Sequence, residues 1–252
     1  MSAPLSNSLS PQLAPFEIDP RTGEPYLRLP PPLSHIVITP PRPSDAPTAV
    51  RLFNDPLVYR WVSTPPFPYL LEHAEDWYAL VKAETGKVWK ELQEASADGP
   101  LKIVAGCPVR AIRCWKEDGT DVFIGDCGFM RHTFADVADL DERTRLVAEN
   151  KARPPGDPNI IWSIGDYLDP AWHGKGIMTA VIGTLMSQWA IPRMAVRVVR
   201  PSVFDGNIGS VRTFEKNGFT LVQTLPESMF VKEKGPFPAE NRTQHFLEWR
   251  AY

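Results

Sequence analysis

The residues best placed to do chemistry lie in one short turn, His173-Gly174-Lys175-Gly176-Ile177-Met178-Thr179. Its two glycines lack a Cβ and let a ligand approach the main chain closely. A helical pattern follows, and the first turn of a helix offers backbone N–H groups without internal partners at the positive end of its dipole. Lys175 adds a cation. Together these suit a phosphate or pyrophosphate held by the amides of Gly174 to Thr179. An ordinary strand-to-helix turn, needing glycine only for its backbone angles, accounts for the same residues. A nucleotide P-loop would need GxxxxGK[ST], and the upstream glycine and the hydroxyl after Lys175 are both missing. A dinucleotide fingerprint would need a third glycine where Thr179 stands, and an acid in the strand after the helix. Ala195-Val196-Arg197-Val198-Val199-Arg200 has none.

Other chemistry is thinly represented. Cys107, Cys114 and Cys127 form an odd set without CxxC spacing. They read as reduced thiols, neither a disulfide frame nor zinc ligands. The five histidines also lack metal-ligand spacing. No metal is expected.

The elements that must position the turn are legible around it. Ile160 to Leu168 is an apolar run with β-branched and aromatic residues, which reads as a buried strand, and Asp169-Pro170 stops it. After the glycines, Ile177, Val181, Leu185 and Trp189 recur at steps of four, with Met178, Ile182 and Met186 beside them. A second short helix opens at Asn207, a good N-cap. Ile208, Val211 and Phe214 form its apolar face, and Gly218 suits the left-handed position after its end.

The turn resembles the acyl-coenzyme A signature of the GNAT acetyltransferase superfamily, Gln/Arg-x-x-Gly-x-Gly/Ala between a strand and a helix. His173 stands where that motif has Gln or Arg, and Met178 where it has a small residue. Trp172 to Thr179 looks most like the subgroup containing the ribosomal-protein N-terminal acetyltransferases and their fungal relatives. Asn207-Ile208-Gly209-Ser210 through Phe214-Glu215-Lys216-Asn217-Gly218-Phe219 is similar to the family's pantetheine-lining segment. The resemblance spans roughly residues 35 to 250. It implies one α/β domain, a mixed sheet of six to seven strands flanked by helices, and acetyl-coenzyme A as co-substrate. The cofactor-binding residues it implies are Asp166, Tyr167, Leu168, His173, Gly174, Lys175, Gly176, Ile177, Met178, Thr179, Asn207, Ser210 and Phe214. Amides around Asp166 to Leu168 would polarise the thioester carbonyl, and Asn207 would bond the pantetheine amides.

The implied reaction is direct acetyl transfer to a primary amine, either a protein N-terminus or a small amine. The amine must be neutral to attack. At pH 7 a lysine amine is neutral roughly once in 2,500 molecules, and an N-terminal amine roughly once in seven. The deprotonation penalty is thus about 4.6 kcal/mol for lysine and about 1 kcal/mol for an N-terminus, which asks much less of a base. Asp166, at the end of the central strand, is the first candidate base, and Asp126 the second. The alternative for Asp166 is a polar strand end bonded to a neighbouring amide. Phe214 stands where many family members carry a tyrosine that protonates the leaving thiolate. The alternative function is therefore a non-catalytic acyl-coenzyme A-binding regulatory protein.

Composition bounds the rest. The 252 residues are 43% hydrophobic with net charge −3, which supplies a core and no nucleic-acid footprint. No secretory signal or membrane-length apolar run appears, so a cytoplasmic protein with access to the nucleus is expected. Residues 1–32 read as a flexible proline-rich arm, with Leu27, Leu29 and Leu33 as points where its end can pack. The domain then runs over 33–252. A first strand is expected at His35–Thr39, a helix capped by Ser44 or Asp45, and a long helix from about Tyr69 towards Ala95. Strands are expected over 101–115 and 121–131, with a closing strand near 245–250. Residues 133–158 look like an insertion carrying a charged helix, either a lid at the acceptor end or a solvated excursion.

Overall fold

Alternation along one strand decides what each side of the sheet holds. In β6 (Ile161–Leu168), Trp162, Ile164 and Leu168 enter the larger core cluster, while Tyr167 packs on the other side against Phe53 and Phe123. The computed structural model describes residues 10–251. Its other strands are β1 (Glu17–Ile18), β2 (Pro25–Arg28), β3 (Ile36–Thr39), β4 (Ala111–Trp115), β5 (Asp121–Arg131), β7 (Val198–Val199), β8 (Ser202–Phe204), β9 (Thr220–Val231) and β10 (Glu240–Arg250). Together they form one sheet of ten strands, antiparallel except for the β6–β7 pair.

Helices cover both sides. α1 (Ala46–Phe53), α2 (Pro56–Tyr59) and the first half of α3 (Leu71–Gln93) sit with Tyr167. The second half of α3, α5 (Ile177–Thr184) and α7 (Ile208–Glu215) sit with Trp162 and Leu168. α5 widens into a π turn over Leu185–Ala190 and ends in α6 (Ile191–Met194). No helix among the described residues is long and apolar enough to cross a membrane.

Several expectations need revising. The N-terminal segment from residue 11 is built into the domain: β1 and β2 extend the sheet beyond β3, and Phe16, Leu27 and Leu29 are buried. A buried arginine holds it there. Arg193 stacks on Trp189 and donates to the carbonyls of Gln12 (2.8 Å) and Ala14 (2.6 Å). Residues 1–9 lie outside the described part. The segment before Ala111 is irregular rather than strand, because Gly106 and Pro108 interrupt it. Val104 donates instead to the Arg193 carbonyl at 2.9 Å. Asp45 precedes α1 without a side-chain cap bond. Its carboxylate is spent on buried Arg113, at 2.6 and 2.8 Å, and burial raises its pKa despite that partner.

The 133–158 stretch contains the expected charged helix, α4 (Leu140–Ala152), and it is pinned to the sheet. Buried Asn150 accepts from the Ile161 amide (3.0 Å) and donates to the Ile161 carbonyl (2.8 Å). This anchor is at the start of β6, the end of the strand away from the glycine turn. The helix therefore does not lie over that turn.

Phe16 tests the N-terminal docking. Phe16→Ala should destabilise the protein by about 3–5 kcal/mol in urea unfolding. A loss below about 0.5 kcal/mol, as expected for a surface position, would show that the segment is not part of the core.

Candidate active site

The glycine turn is a row of unused donors. Asp169 caps a short 3-10 turn over Pro170–Trp172 by accepting from the Ala171 amide at 3.0 Å, and its other oxygen pairs with Arg51. His173 then closes the loop, with Nε2–H donating to the Leu168 carbonyl at 2.8 Å. Gly174 (φ +73°) and Gly176 (φ +75°) are both left-handed, where other residues are strained. From Gly174 to Thr179, no backbone N–H donates to any acceptor among the described residues; the first bonded amide is Ala180, to the Gly176 carbonyl at 3.0 Å. A Cβ placed on either glycine would meet nothing within 4 Å, so the concavity is open. Lys175 lies beside it, its ammonium 5.0 Å from the Trp172 ring. Six donors, a helix N-terminus and a cation fit a pyrophosphate.

A gap in the sheet leads to this turn. β6 and β7 pair only at Ile161–Val198 and Trp162–Val199, and the Arg200 amide adds one bond to the Trp162 carbonyl at 2.7 Å. Pro201 then interrupts the strand and β8 stays with β10 while β6 goes its own way. Register decides which amides line the gap. The bonds of His132 to Ile161 and of Asp169 to Ile124 put the odd-numbered residues of β6 in the ladder with β5. The amides of Ile164, Asp166 and Leu168 therefore point into the gap.

Asp166 is the acid at this edge. It stands opposite Cys127 on β5 and has no hydrogen-bond or ion-pair partner among the described residues. Burial, helped by the nearby Asp126 charge, pushes its pKa up to about 6. The alternative of a strand-end carboxylate tied to a neighbouring amide is not what the side chain does. Asp126 is no base: Arg110 holds it with bonds of 2.8, 2.9 and 3.1 Å on the other side of the sheet. Cys127 is buried, and burial drives its thiol pKa well up.

Residues 35–220, more than half of the chain, match the family model described as the acetyltransferase (GNAT) domain. The chain belongs to the GNAT acetyltransferase family. A probable N-acetyltransferase of Bacillus subtilis strain 168, YjcK, is 39% identical over 56 residues, 22% of this chain and 30% of that protein's length. The fold is similar to that of ribosomal L7/L12 alpha-N-protein acetyltransferase, with TM-score 0.58 and 15% identity over 93% of this chain and all (100%) of that one. It is also similar to the microcin C7 self-immunity acetyltransferase MccE, solved with acetyl-coenzyme A and AMP. There the TM-score is 0.55 and the identity 14%, over 86% of this chain and 93% of that one.

Within this GNAT domain the residues expected at the cofactor take different places. Gly174, Lys175, Gly176 and the backbones of Ile177, Met178 and Thr179 form the amide row; the Ile177 and Met178 side chains are core. Asp166 and Leu168 present amides to the gap. Tyr167 does not: its amide is in the β5 ladder and its partly buried ring packs on the smaller core cluster, its hydroxyl 3.3 Å from that of Tyr78. His173 serves loop closure through Nε2. Asn207 is the N-cap of α7, its Oδ1 accepting from the Ser210 amide at 3.3 Å, which leaves the Nδ2 donors for another partner. Phe214 is 1% exposed and packs edge-on against Phe219, so its ring belongs to the core and not to the cofactor surface. The sequence reading missed Asn217, which donates to the Thr179 carbonyl (3.1 Å) and holds α7 to α5. Its signal was present, an amide side chain just before the Gly218 turn.

Gly174→Asp puts strain and negative charge on the amide row. We expect coenzyme A binding to weaken at least about 100-fold in calorimetry, with the melting temperature falling only about 2–8 °C from the backbone strain, because the added atoms meet no neighbour. Unchanged affinity would remove the turn as the pyrophosphate seat.

Proposed function

We propose that this protein is an acetyl-coenzyme A-dependent N-acetyltransferase. It moves the acetyl group in one step to a primary amine, either a protein N-terminus or a small amine. The observation that supports this most is a pair of unused amide sets, one on the unzipped edge of β6 and one in the turn Gly174–Thr179, with the unpartnered carboxylate of Asp166 on the first.

In this reading the turn amides and Lys175 hold the pyrophosphate, and Asn207 Nδ2 reaches the pantetheine. The co-substrate supplies an activated acyl group. The gap-facing amides of Asp166 and Leu168 are donors placed for a thioester carbonyl oxygen. Asp166, ionised above about pH 6, accepts the proton of the attacking amine. A nitrogen–carbon bond forms as the carbon–sulfur bond breaks, and the products are an acetamide and coenzyme A thiol. Phe214 donates no proton, so the thiolate leaves unassisted by that position, which its low basicity permits. That missing acid is what favours the rival reading, a non-catalytic acyl-coenzyme A-binding regulatory protein. Thiol release on offering amines separates the two.

Asp166→Asn makes a paired prediction. A carboxyl whose folded pKa is raised to about 6 destabilises the fold when ionised, and protonation relieves this as pH falls through 6. The variant should therefore be more stable than the parent at pH 8, by about 1–3 kcal/mol, and this advantage should vanish below about pH 4. Its acetylation rate should fall about 100-fold, most visibly below pH 8, where free amine is scarce. An unchanged pH–rate profile would remove Asp166 as the base.

A further inference from the structure

A cationic cluster lies on the Tyr167 side of the sheet, away from the glycine turn. Arg60, just after α2, places its guanidinium 4.6 Å from the Trp61 ring and 5.2 Å from Phe237. Arg242 on β10 lies 5.1 Å from the same Trp61 ring and 4.4 Å from Phe204. Two guanidinium groups thus share one indole. Arg242 is partly satisfied by the Arg60 carbonyl and by Glu240 at 3.4 Å. Arg60 makes no side-chain hydrogen bond or ion pair among the described residues, and its Nε is buried without a partner. A cavity of about 50 Å³ opens between them, also lined by Lys232, Lys234 and Glu240. Lys234 gives its ammonium to the carbonyls of Val62 (2.8 Å) and Pro65 (3.4 Å), which leaves Arg60, Arg242 and Lys232 with one carboxylate in the lining. Like charges held this close on an indole are costly unless an anion joins them.

The volume admits one small group, about the size of a carboxylate. Planar guanidinium pairs suit that geometry well. The position also matters. A Cβ on Gly206 would lie 3.7 Å from the Trp61 ring, and Gly206 directly precedes Asn207 at the border of the gap. Phe204, under Arg242, lies on β8, the far wall of that gap. A molecule anchored at the arginines is thereby held beside the mouth of the gap, on the side opposite the pyrophosphate seat.

We propose that Arg60 and Arg242, clamped on Trp61, bind a carboxylate of the amine acceptor, so that preferred acceptors carry an acidic group close to the amine. This rests on the acetyltransferase reading for the word acceptor, while the anion seat itself stands on the geometry.

The test uses the full-length protein and two short peptides with free N-termini, identical except for Glu or Gln at the second and third positions. Binding is measured by calorimetry with coenzyme A present, and acetylation by thiol release. The acidic peptide should bind about tenfold or more tightly, with kcat/KM in the same ratio. Arg60→Gln should bring both ratios close to one while leaving coenzyme A affinity unchanged. Arg60→Lys should keep part of the preference, since charge remains but the planar fork is lost. If Arg60→Gln fails to fold, a Lys variant that retains the whole preference overturns the proposal. Equal binding of the two peptides, or a preference that Arg60→Gln leaves intact, also overturns it. Inorganic phosphate that binds at Arg60 while neither peptide does would mean a small free anion and not an acceptor, against the proposal. Absence of thiol release with the peptide preference intact would bring down the acetyltransferase reading and leave the carboxylate seat standing.

Discussion

A backbone amide without a protein acceptor is left to water or a ligand, and this fold leaves several so placed. The sheet unzips where β6 parts from β7, so the gap-facing amides of β6 lose the partners a parallel neighbour would supply. The turn after β6 continues the pattern, because its left-handed glycines aim successive N–H groups outward in place of folding them into the helix. Much of the surrounding structure keeps this opening in place. His173 ties the turn to the end of β6, Asn217 holds α7 against α5, and Asn150 secures the start of β6, where the opening begins. A ligand with a carbonyl at one end, amides in the middle and a pyrophosphate at the other would satisfy these groups.

The parts of the fold that depend on local pattern were legible in the sequence. The buried run at 160–168, the steps of four after Ile177, and the N-cap at Asn207 are short-range signals, and the elements formed there. What stayed hidden depends on distant partners. Nothing near Phe16 announces Trp189 and Arg193, which lie far along the chain and bury that segment. The same holds for Asp45, a plausible cap until Arg113 takes its carboxylate. In the site, glycine positions were readable because φ > 0 is a local demand. Tyr167 was misplaced because its role depends on strand register, and a shift of one residue exchanges gap for ladder.

Two carboxylates on adjacent strands show how environment separates structural from chemical roles. Asp126 has a bidentate arginine and is fixed. Asp166 has neither arginine nor amide, and burial leaves its affinity for protons in the range useful to an amine reaction. The fold spends stability on that carboxylate, a cost expected at a site and not in a scaffold. Phe214 marks the opposite choice, with a core ring where a proton donor would stand. Under the proposed mechanism the two fit an enzyme that relies on a base more than an acid, as suits an amine nucleophile and a thiolate leaving group.

The central claim is that the unzipped strand and its turn form a coenzyme A site. Thermal unfolding with acetyl-coenzyme A, coenzyme A, ATP and NAD in parallel tests it most directly. At 100 times its dissociation constant a ligand adds about 2.7 kcal/mol, a shift of roughly 5–10 °C for a chain of this size. The account predicts that shift with both coenzyme A compounds and none with ATP or NAD. No shift with either coenzyme A compound, or an equal shift with all four, would contradict it.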